Sequence, residues 1–195
     1  MFKPLRFYHE IYRKALHILT LVIPIFLFYY EINTIIIYIY ILVINFLLFD
    51  LLRQKYLPIK KFYYKYFSSI TRPSEQFELS GAFWCFLGIL ITVQIFPKEI
   101  AIPSILILSL SDSFAALIGI KYGKIKILTK TLEGCIAFLV ITIIIITIFS
   151  DLNYFYIIPI SILLTLIELI SNRFYNDNII IPLASGLLLL IGGMI

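Results

Sequence analysis

Charged residues are scarce in this chain. Only 14% of its residues are charged, whereas 62% are hydrophobic, and the mean hydropathy is +1.02. A chain of 195 residues with this composition has too little polar surface to cover a water-soluble globule, so an integral membrane protein is expected. No long soluble stretch is present. Residues 1–195 are therefore predicted to form a single domain, with any active site built from helices and their short connections.

Cysteine is scarce, and the common nucleotide-binding signatures are absent. The two cysteines, Cys85 and Cys135, lie in apolar segments, which excludes a disulfide framework and a zinc spacing. Neither a Walker loop nor a G-x-G-x-x-G sequence is present, which argues against the ATP-dependent kinase folds that use them. No small-residue cleavage site follows the charged amino-terminal segment, so a removable signal peptide is not expected.

Long apolar runs make up most of the chain. Runs of about twenty apolar residues are long enough to cross a bilayer as a helix. They predict an all-α polytopic membrane bundle of about seven transmembrane helices. The predicted helices are 15–30, 34–52, 76–96, 100–120, 131–149, 154–170 and 179–195.

The basic residues are distributed unevenly about these helices. Fifteen of the sixteen lysines and arginines precede the first helix or follow the second, fourth and sixth, and only Lys98 falls on the other side. Under the positive-inside rule, this asymmetry predicts a cytoplasmic amino terminus. Segment 53–72 is predicted to be a basic, aromatic segment at the cytoplasmic interface. Its part 53–69, where aromatic residues alternate with lysines, predicts an interfacial helix on the cytoplasmic leaflet. Nucleic-acid binding is not expected, and the net charge of +5 is mostly topology signal.

One carboxylate, Asp112, stands inside the fourth apolar segment. Inserting a charge at this depth costs about 2.5–3.5 kcal/mol, so its presence indicates a function. Ala115, Ala116 and Gly119 share its helical face and leave room for a ligand or another backbone. Polar contact between helices is the structural alternative for this aspartate.

A glycine- and lysine-rich loop follows Asp112 and leads into the fifth helix. It contains Gly123, Lys124 and Lys130, and Thr131 and Glu133 stand where the helix begins. Free backbone N–H groups at a helix start favour an anion, so the loop predicts a triphosphate site. The positive-inside rule alone would explain the lysines of this loop, but it would not explain the glycines or Glu133.

Other polar residues fall near the same membrane face. Arg13, Lys14 and His17 lie at the entry of the first helix, Glu168 near the end of the sixth, and Asp177 at the start of the seventh. Anchoring, packing or capping would account for each alone, but together they predict one pocket in the cytoplasmic third of the bundle. Four acidic residues at segment ends are interpreted as solvated: Glu31, Asp50, Glu99 and Asp151.

These blocks resemble the CTP-dependent polyprenol kinases, a family comprising dolichol, phytol and farnesol kinases and the fungal CTP-dependent diacylglycerol kinase. The matching blocks are Arg13-Lys14-Ala15-Leu16-His17, Arg72-x-x-Glu75 with Gly81-Ala82 and Gly88, Asp112-Ser113-Phe114-Ala115-Ala116-Leu117-Ile118-Gly119, Tyr122-Gly123-Lys124, Lys130-Thr131-Leu132-Glu133-Gly134, and Glu168 with Asp177-Asn178 and Pro182. The resemblance covers most of the chain, with the blocks in order and on one side of the membrane.

The resemblance implies transfer of the γ-phosphoryl group of CTP to the terminal hydroxyl of an isoprenoid alcohol, with Mg²⁺ as cofactor. It implies catalytic roles for Asp112, Lys130, Glu133 and Glu168, and metal binding by Asp112, Glu133 and Asp177. The implied nucleotide-binding residues are Arg13, Lys14, His17, Gly119, Gly123, Lys124, Lys130 and Thr131. The expected location is the plasma membrane of a prokaryote, in keeping with the isoleucine- and lysine-rich usage, with the site facing the cytoplasm and no oligomer indicated.

Two other functions fit parts of the pattern. A CTP:phospholipid cytidylyltransferase shares the aspartate, the glycine-lysine loop and the Lys-Thr-x-Glu-Gly block. Those enzymes continue with a Lys-Asp pair and a His-Gly-Gly stretch, which residues 172–178 do not offer. A non-catalytic lipid carrier or transporter would use Asp112 and Glu168 along a translocation path. No inverted repeat or matched pair of broken helices supports that function.

Overall fold

The fold is a bundle of helices with one short hairpin. The computed structural model describes residues 4–67, 78–174 and 176–194, without the side chains of 4–7, 172–175 and 194. The elements are α1 (Pro4–Leu19), α2 (Val22–Tyr29), α3 (Ile32–Lys55), α4 (Leu57–Phe67), α5 (Gly81–Ile95), α6 (Lys98–Leu106), a π-helical turn (Ile107–Ser111), α7 (Asp112–Tyr122), β1 (Lys126–Ile127), β2 (Lys130–Thr131), α8 (Leu132–Phe149), α9 (Tyr154–Phe174) and α10 (Asp177–Met194). The predicted all-α bundle is thereby confirmed.

Seven apolar passes account for most of this bundle. Five helical stretches in the described residues are long and apolar enough to cross a membrane: Tyr8–Tyr29, Ile32–Lys55, Lys98–Tyr122, Leu132–Phe149 and Tyr154–Ser171. Two shorter apolar helices, Gly81–Ile95 and Asp177–Gly193, complete the set. Large apolar side chains are exposed along these helices, as expected where the surrounding solvent is lipid. The chain is an integral membrane protein.

The first predicted helix is broken into α1 and α2. Pro24 has no backbone N–H to donate to the carbonyl of Thr20, one turn earlier, so regular α-helical bonding stops there. The backbone turns at Thr20-Leu21, and Ile23 N donates to Thr20 O over 3.0 Å. Helix α1 also starts eleven residues before the predicted boundary, because the charged amino-terminal segment is itself helical.

The fourth pass contains a π-helical turn immediately before Asp112. The backbone N–H of Asp112 donates to the carbonyl of Ile107, five residues earlier, instead of four. The extra residue in this turn rotates the side chains that follow it around the helix axis. π-helical turns of this kind occur often at functional sites. The turn therefore helps to set the direction in which Asp112 points.

A two-stranded hairpin replaces the predicted open loop after α7. Lys126 pairs with Thr131 and Ile127 with Lys130 in an antiparallel register. Leu128, in the tight turn between the strands, has φ of 53°, a conformation that non-glycine residues rarely adopt. The hairpin fixes the direction in which Lys130 leaves the backbone at the start of α8.

Small residues bring α7 and α8 into close contact. A Cβ placed on Gly134 would lie 2.8 Å from the carbonyl oxygen of Ala115, and one on Gly119 would lie 2.7 Å from Thr131 Oγ1. Thr131 caps α8 by accepting a hydrogen bond from Gly134 N over 3.3 Å. The start of α8 is thus held against the helix that carries Asp112.

Segment 53–72 is not a single interfacial helix. Its centre forms α4, whereas Arg53 belongs to α3 and is only 2% exposed. Residues 68–72, including Arg72, and Glu75 beyond them, lie outside the described residues. The expectation of an interfacial helix therefore applies to Leu57–Phe67, whose lysines at 61 and 65 are exposed.

Replacing Gly134 by alanine should loosen the α7–α8 contact. The added methyl group meets the backbone of Ala115, so we expect a loss of about 1–3 kcal/mol in unfolding free energy and a lower thermal midpoint in detergent. Gly193→Ala is the matched control, since nothing lies within 4 Å of a Cβ there. Equal midpoints for the two variants would contradict this close packing.

Candidate active site

A buried ion pair joins helix α1 to helix α7. The ammonium of Lys14 donates to Asp112 Oδ2, and the two residues are 3% and 4% exposed. His17 lies one turn from Lys14 on α1, with Nδ1 4.0 Å from the same carboxylate oxygen. Helix α1 packs against α7, which brings these side chains together. The predicted helical-face relation between Lys14 and His17 therefore places both of them at Asp112.

A second buried ion pair joins the β1–β2 hairpin to helix α9. Lys130, at the start of β2, donates both to the side chain and to the main-chain carbonyl of Glu168. Glu168 is 3% exposed, and its Oε2 accepts no hydrogen bond from the described part of the chain. One carboxylate oxygen of this pair thus keeps unused capacity to accept a proton or bind a cation.

The two ion pairs belong to one electrostatic cluster. Asp112 interacts with Lys14, His17 and Lys130, and Glu168 interacts with Lys130, Asp112 and Asp177. These residues come from α1, α7, β2, α9 and α10. The fold thus brings charged groups from these distant segments within electrostatic reach of one another, and the roles predicted for them stay predictions.

Glu133 accepts hydrogen bonds from the backbone of the loop that follows α7. Its Oε1 accepts from the backbone N–H of Lys124 over 2.9 Å, and its Oε2 accepts from that of Ile125 over 3.5 Å. Both oxygens are thus engaged in holding the chain after α7 to the first turn of α8. This contact orders the loop, whereas the predicted catalytic and metal-binding roles would require the carboxylate to turn away from these donors.

The other loop residues lie at the edge of the cluster. The side chain of Lys124 is exposed, Thr131 caps α8, and Gly119 and Gly123 lie against Thr131. The small size of both glycines is therefore needed for packing in this structure. Their predicted part in nucleotide binding stays a prediction, as does that of Lys124 and Thr131.

Asp177 begins α10 and is 8% exposed. The side chain of its neighbour Asn178 donates to the main-chain carbonyl of Gly81 over 3.2 Å. This hydrogen bond connects α10 to α5. Gly88 lies directly under the Asn178 backbone, where a Cβ would clash. Asp177 is thus held at the start of α10, near α5, and its charge acts on Glu168.

The predicted metal set does not form a ready-made cage. Within the described residues, no three His, Cys, Asp or Glu side chains are grouped closely enough to hold a metal ion. Mg²⁺ at phosphoryl-transfer sites is usually bound by one or two carboxylates together with substrate phosphates. Asp112 and the free oxygen of Glu168 meet that smaller requirement, so the residues present fit the ion only in the company of a nucleotide.

Reasoning from the sequence missed a buried network at the end of α3. Asp50, expected to be solvated, is 1% exposed and accepts from Arg53 Nε over 2.6 Å. It also accepts from the backbone N–H of Ser80 over 2.7 Å and from its hydroxyl over 2.8 Å. Arg53 donates to the carbonyl of Glu78 and lies 4.6 Å from the centre of the Tyr63 ring. The i, i+3 spacing of Asp50 and Arg53 was the available signal.

Hydroxyl groups continue the polar interior below Asp112. Thr20 and Ser109 share a hydrogen bond of 2.7 Å, and Thr142 donates to Ser111 over 3.0 Å. Ser113, next to Asp112, is fully buried, and its hydroxyl has no hydrogen-bond partner among the side chains and backbone that the structure describes. The π-helical turn thus lies within a layer of paired hydroxyls.

The fold and the site define a polytopic helical membrane protein with a buried, mixed-charge cluster at one end of its bundle. The chain is 36% identical over 185 residues to the uncharacterized protein RP860 of Rickettsia prowazekii, covering 88% of this chain and 89% of that protein. The chain belongs to the same family as that Rickettsia protein. No protein-family model matches it, and no solved structure matches it.

Two fungal enzymes show further similarity. The CTP-dependent diacylglycerol kinase 1 of Saccharomyces cerevisiae is 33% identical over 135 residues, which are 66% of this chain and 46% of the enzyme. The Schizosaccharomyces pombe protein of the same name is 32% identical over 75 residues, 38% of this chain and 34% of that enzyme. The chain thus spans less than half the length of these kinases. The similarities support a relationship to a CTP-dependent lipid kinase family.

Breaking one partner of the Lys14–Asp112 pair should cost more than removing both. Lys14→Met leaves a buried carboxylate short of its main partner, so we expect a loss of about 3–5 kcal/mol in unfolding free energy. Lys14→Met combined with Asp112→Leu should recover much of it, because a hydrophobic pair of similar volume carries no desolvation penalty.

The measurement is a double-mutant cycle on thermal unfolding of purified protein. Glu10→Gln, which breaks the more exposed Arg13–Glu10 pair, is the control and should cost at most about 1 kcal/mol. Strictly additive losses for Lys14 and Asp112 would contradict a direct coupling between them.

Proposed function

We propose that this chain is a CTP-dependent lipid kinase, which transfers the γ-phosphoryl group of CTP to the hydroxyl of a membrane-embedded alcohol. The observation that carries the proposal is the presence of two buried ion pairs, Lys14–Asp112 and Lys130–Glu168, inside an apolar bundle. Phosphoryl transfer requires positioning and charge stabilisation more than covalent chemistry, and this cluster supplies charges of both signs in a buried setting. The fungal relatives support CTP as donor.

The cations of the cluster suit a triphosphate. Lys14 and Lys130 are held by carboxylates within the bundle, and Arg13 lies next to Lys14 with its guanidinium only partly exposed. In the proposed complex, phosphate oxygens share these cations with the carboxylates, and exposed Lys124 stands at the approach from water. The hairpin and the Glu133 contact keep Lys130 aimed at the cluster.

The carboxylates suit the acceptor and the metal. Asp112, relieved of Lys14 when phosphate oxygens engage that ammonium, would accept the hydroxyl proton or hold Mg²⁺. Glu168 and Asp177 would complete the negative side of the site. Mg²⁺, when bound, would neutralise charge on the phosphates during transfer.

The acceptor is proposed to be a lipid with a free hydroxyl group. The names of the fungal relatives favour diacylglycerol, whereas the motif resemblance favours an isoprenoid alcohol. Both place a single hydroxyl at the level of the headgroups, where a nucleotide from water can meet it. The excess of basic residues at the same end of the bundle supports a cytoplasmic site, and the Rickettsia relative supports a prokaryotic plasma membrane.

The direct test is transfer of label from γ-labelled CTP to lipid by purified protein in detergent or nanodiscs. We expect labelled lipid phosphate with CTP and Mg²⁺, and much less product with ATP. Diacylglycerol and isoprenoid alcohols of several chain lengths should be compared as acceptors. Release of pyrophosphate with formation of a CDP-lipid would indicate a cytidylyltransferase instead, and absence of any turnover would refute an enzyme.

Neutral substitutions of the two buried acids should abolish most of the activity. Asp112→Asn and Glu168→Gln are each expected to lower kcat by at least about 100-fold, because each removes a charge that the transition state uses. Asp151→Asn and Glu99→Gln make the same chemical changes at exposed positions and should leave kcat unchanged. Full CTP-dependent activity in Asp112→Asn would overturn the assignment of that residue.

A further inference from the structure

A cavity of about 630 Å³ lies between α1, α3 and α5, beside the start of α10. Helix α1 packs mainly against α7, and α3 mainly against α5, so close packing does not fill the space between α1 and α3. The volume is in the range usual for small-molecule sites. The cavity extends along α1 from Arg13 to Leu19, about 9 Å at the helical rise per residue, and continues past the break to Val22 and Ile23 of α2.

The cavity wall changes from polar to apolar along this length. The polar lining lies at one end of the cavity, and most of it comes from residues near helix termini: Arg13, His17, Asp50, Glu78, Ser80, Asn176, Asp177 and Asn178. The interior of the passes supplies its apolar lining: Leu19, Val22, Ile23, Leu42, Phe46, Trp84 and Phe86. Such a gradient fits an amphiphile that lies along the membrane normal, with its polar end level with the helix termini.

The apolar half also reaches the surface of the bundle. Leu19 and Leu42 line the cavity and are 63% and 37% exposed, so one wall is shared with the lipid-facing surface. A hydrocarbon chain in the cavity could therefore continue into the bilayer between α1 and α3. A ligand longer than the cavity does not need to fit inside it.

The polar end adjoins the catalytic cluster. His17 lines the cavity and lies 4.0 Å from Asp112 Oδ2 through its Nδ1, and Asp177 lines it and interacts with Glu168. Arg13 Nε is buried there and has no hydrogen-bond partner among the described residues. A hydroxyl oxygen at this end would find a spare donor and the Asp112 carboxylate close by.

The charges at this end favour a neutral headgroup. Glu78 and Asp177 line the same space, and Arg13, which also lines it, is already paired with Glu10, so a phosphodiester would be placed against two carboxylates. A hydroxyl group carries no charge and is not repelled. The lining therefore distinguishes a lipid alcohol from the phospholipids that surround it.

We propose that this cavity is the acceptor site, which holds a neutral lipid alcohol with its hydroxyl between His17 and Asp177 and its chain leaving between α1 and α3. This inference rests on the proposed function and adds the location and chemical class of the acceptor. The nucleotide would then approach Asp112 from the opposite side, where the hairpin carries Lys130.

Trp84 makes this proposal measurable without catalysis. It is the only tryptophan in the chain and it lines the apolar half of the cavity. Bromine atoms on a hydrocarbon chain quench tryptophan fluorescence on contact. In nanodiscs without nucleotide, diacylglycerol or an isoprenoid alcohol with a brominated chain should quench Trp84 saturably, well beyond an equal amount of phosphatidylcholine brominated to the same degree.

Narrowing the opening should weaken this signal. Leu19→Phe with Leu42→Phe is expected to raise the half-saturating concentration of the brominated alcohol about tenfold. Leu163→Phe with Leu166→Phe makes the same changes on α9, where both leucines are exposed but do not line the cavity, and should have no effect. With transfer from CTP, the first variant should raise KM for the lipid and leave KM for CTP unchanged.

The outcomes separate the two proposals. Equal quenching by the alcohol and by phosphatidylcholine, or none by either, would overturn the cavity as acceptor site even if CTP-dependent transfer occurs. Saturable quenching by the alcohol without transfer from CTP would support the cavity and contradict the kinase.

Discussion

Burial of charge in an apolar bundle is the constraint on which this structure depends. An unpaired carboxylate or ammonium in a bilayer is costly, so each must find a partner. Lys14 with Asp112, Lys130 with Glu168, and Arg53 with Asp50 and Ser80 meet this requirement among the described residues. Each network connects different segments, so the same interactions that neutralise charge also fix how the helices are arranged.

The backbone around Asp112 serves this arrangement. The π-helical turn sets the direction of the carboxylate, and small residues let α8 approach α7 closely enough for the hairpin to present Lys130. Glu133 then holds the connecting loop by accepting from two backbone N–H groups. A side chain for which the sequence predicts a chemical role thus makes a structural contact in the loop that precedes the hairpin.

A lipid kinase has to join a water-soluble donor to an acceptor that stays in the bilayer. The charged cluster adjoins a cavity whose wall becomes apolar with depth, and the loop that follows α7 carries the exposed Lys124. In the proposed function, the two substrates approach Asp112 from opposite sides, and neither has to leave its own phase. Asp50 and Ser80, from the network at the end of α3, line the polar end of that cavity.

The sequence by itself determined the membrane class, the seven apolar passes and the segments that carry the polar residues, because hydrophobic length and charge position are local properties. It also predicted one pocket that gathers a larger set of polar residues, of which Lys14, Asp112, Lys130 and Glu168 form the two buried ion pairs. Only the tertiary structure decided which ammonium pairs with which carboxylate, that Asp50 is buried and that Glu133 turns to the backbone. Those outcomes depend on helix rotation, on the π-helical turn and on the hairpin, which arise from contacts between segments far apart in the chain.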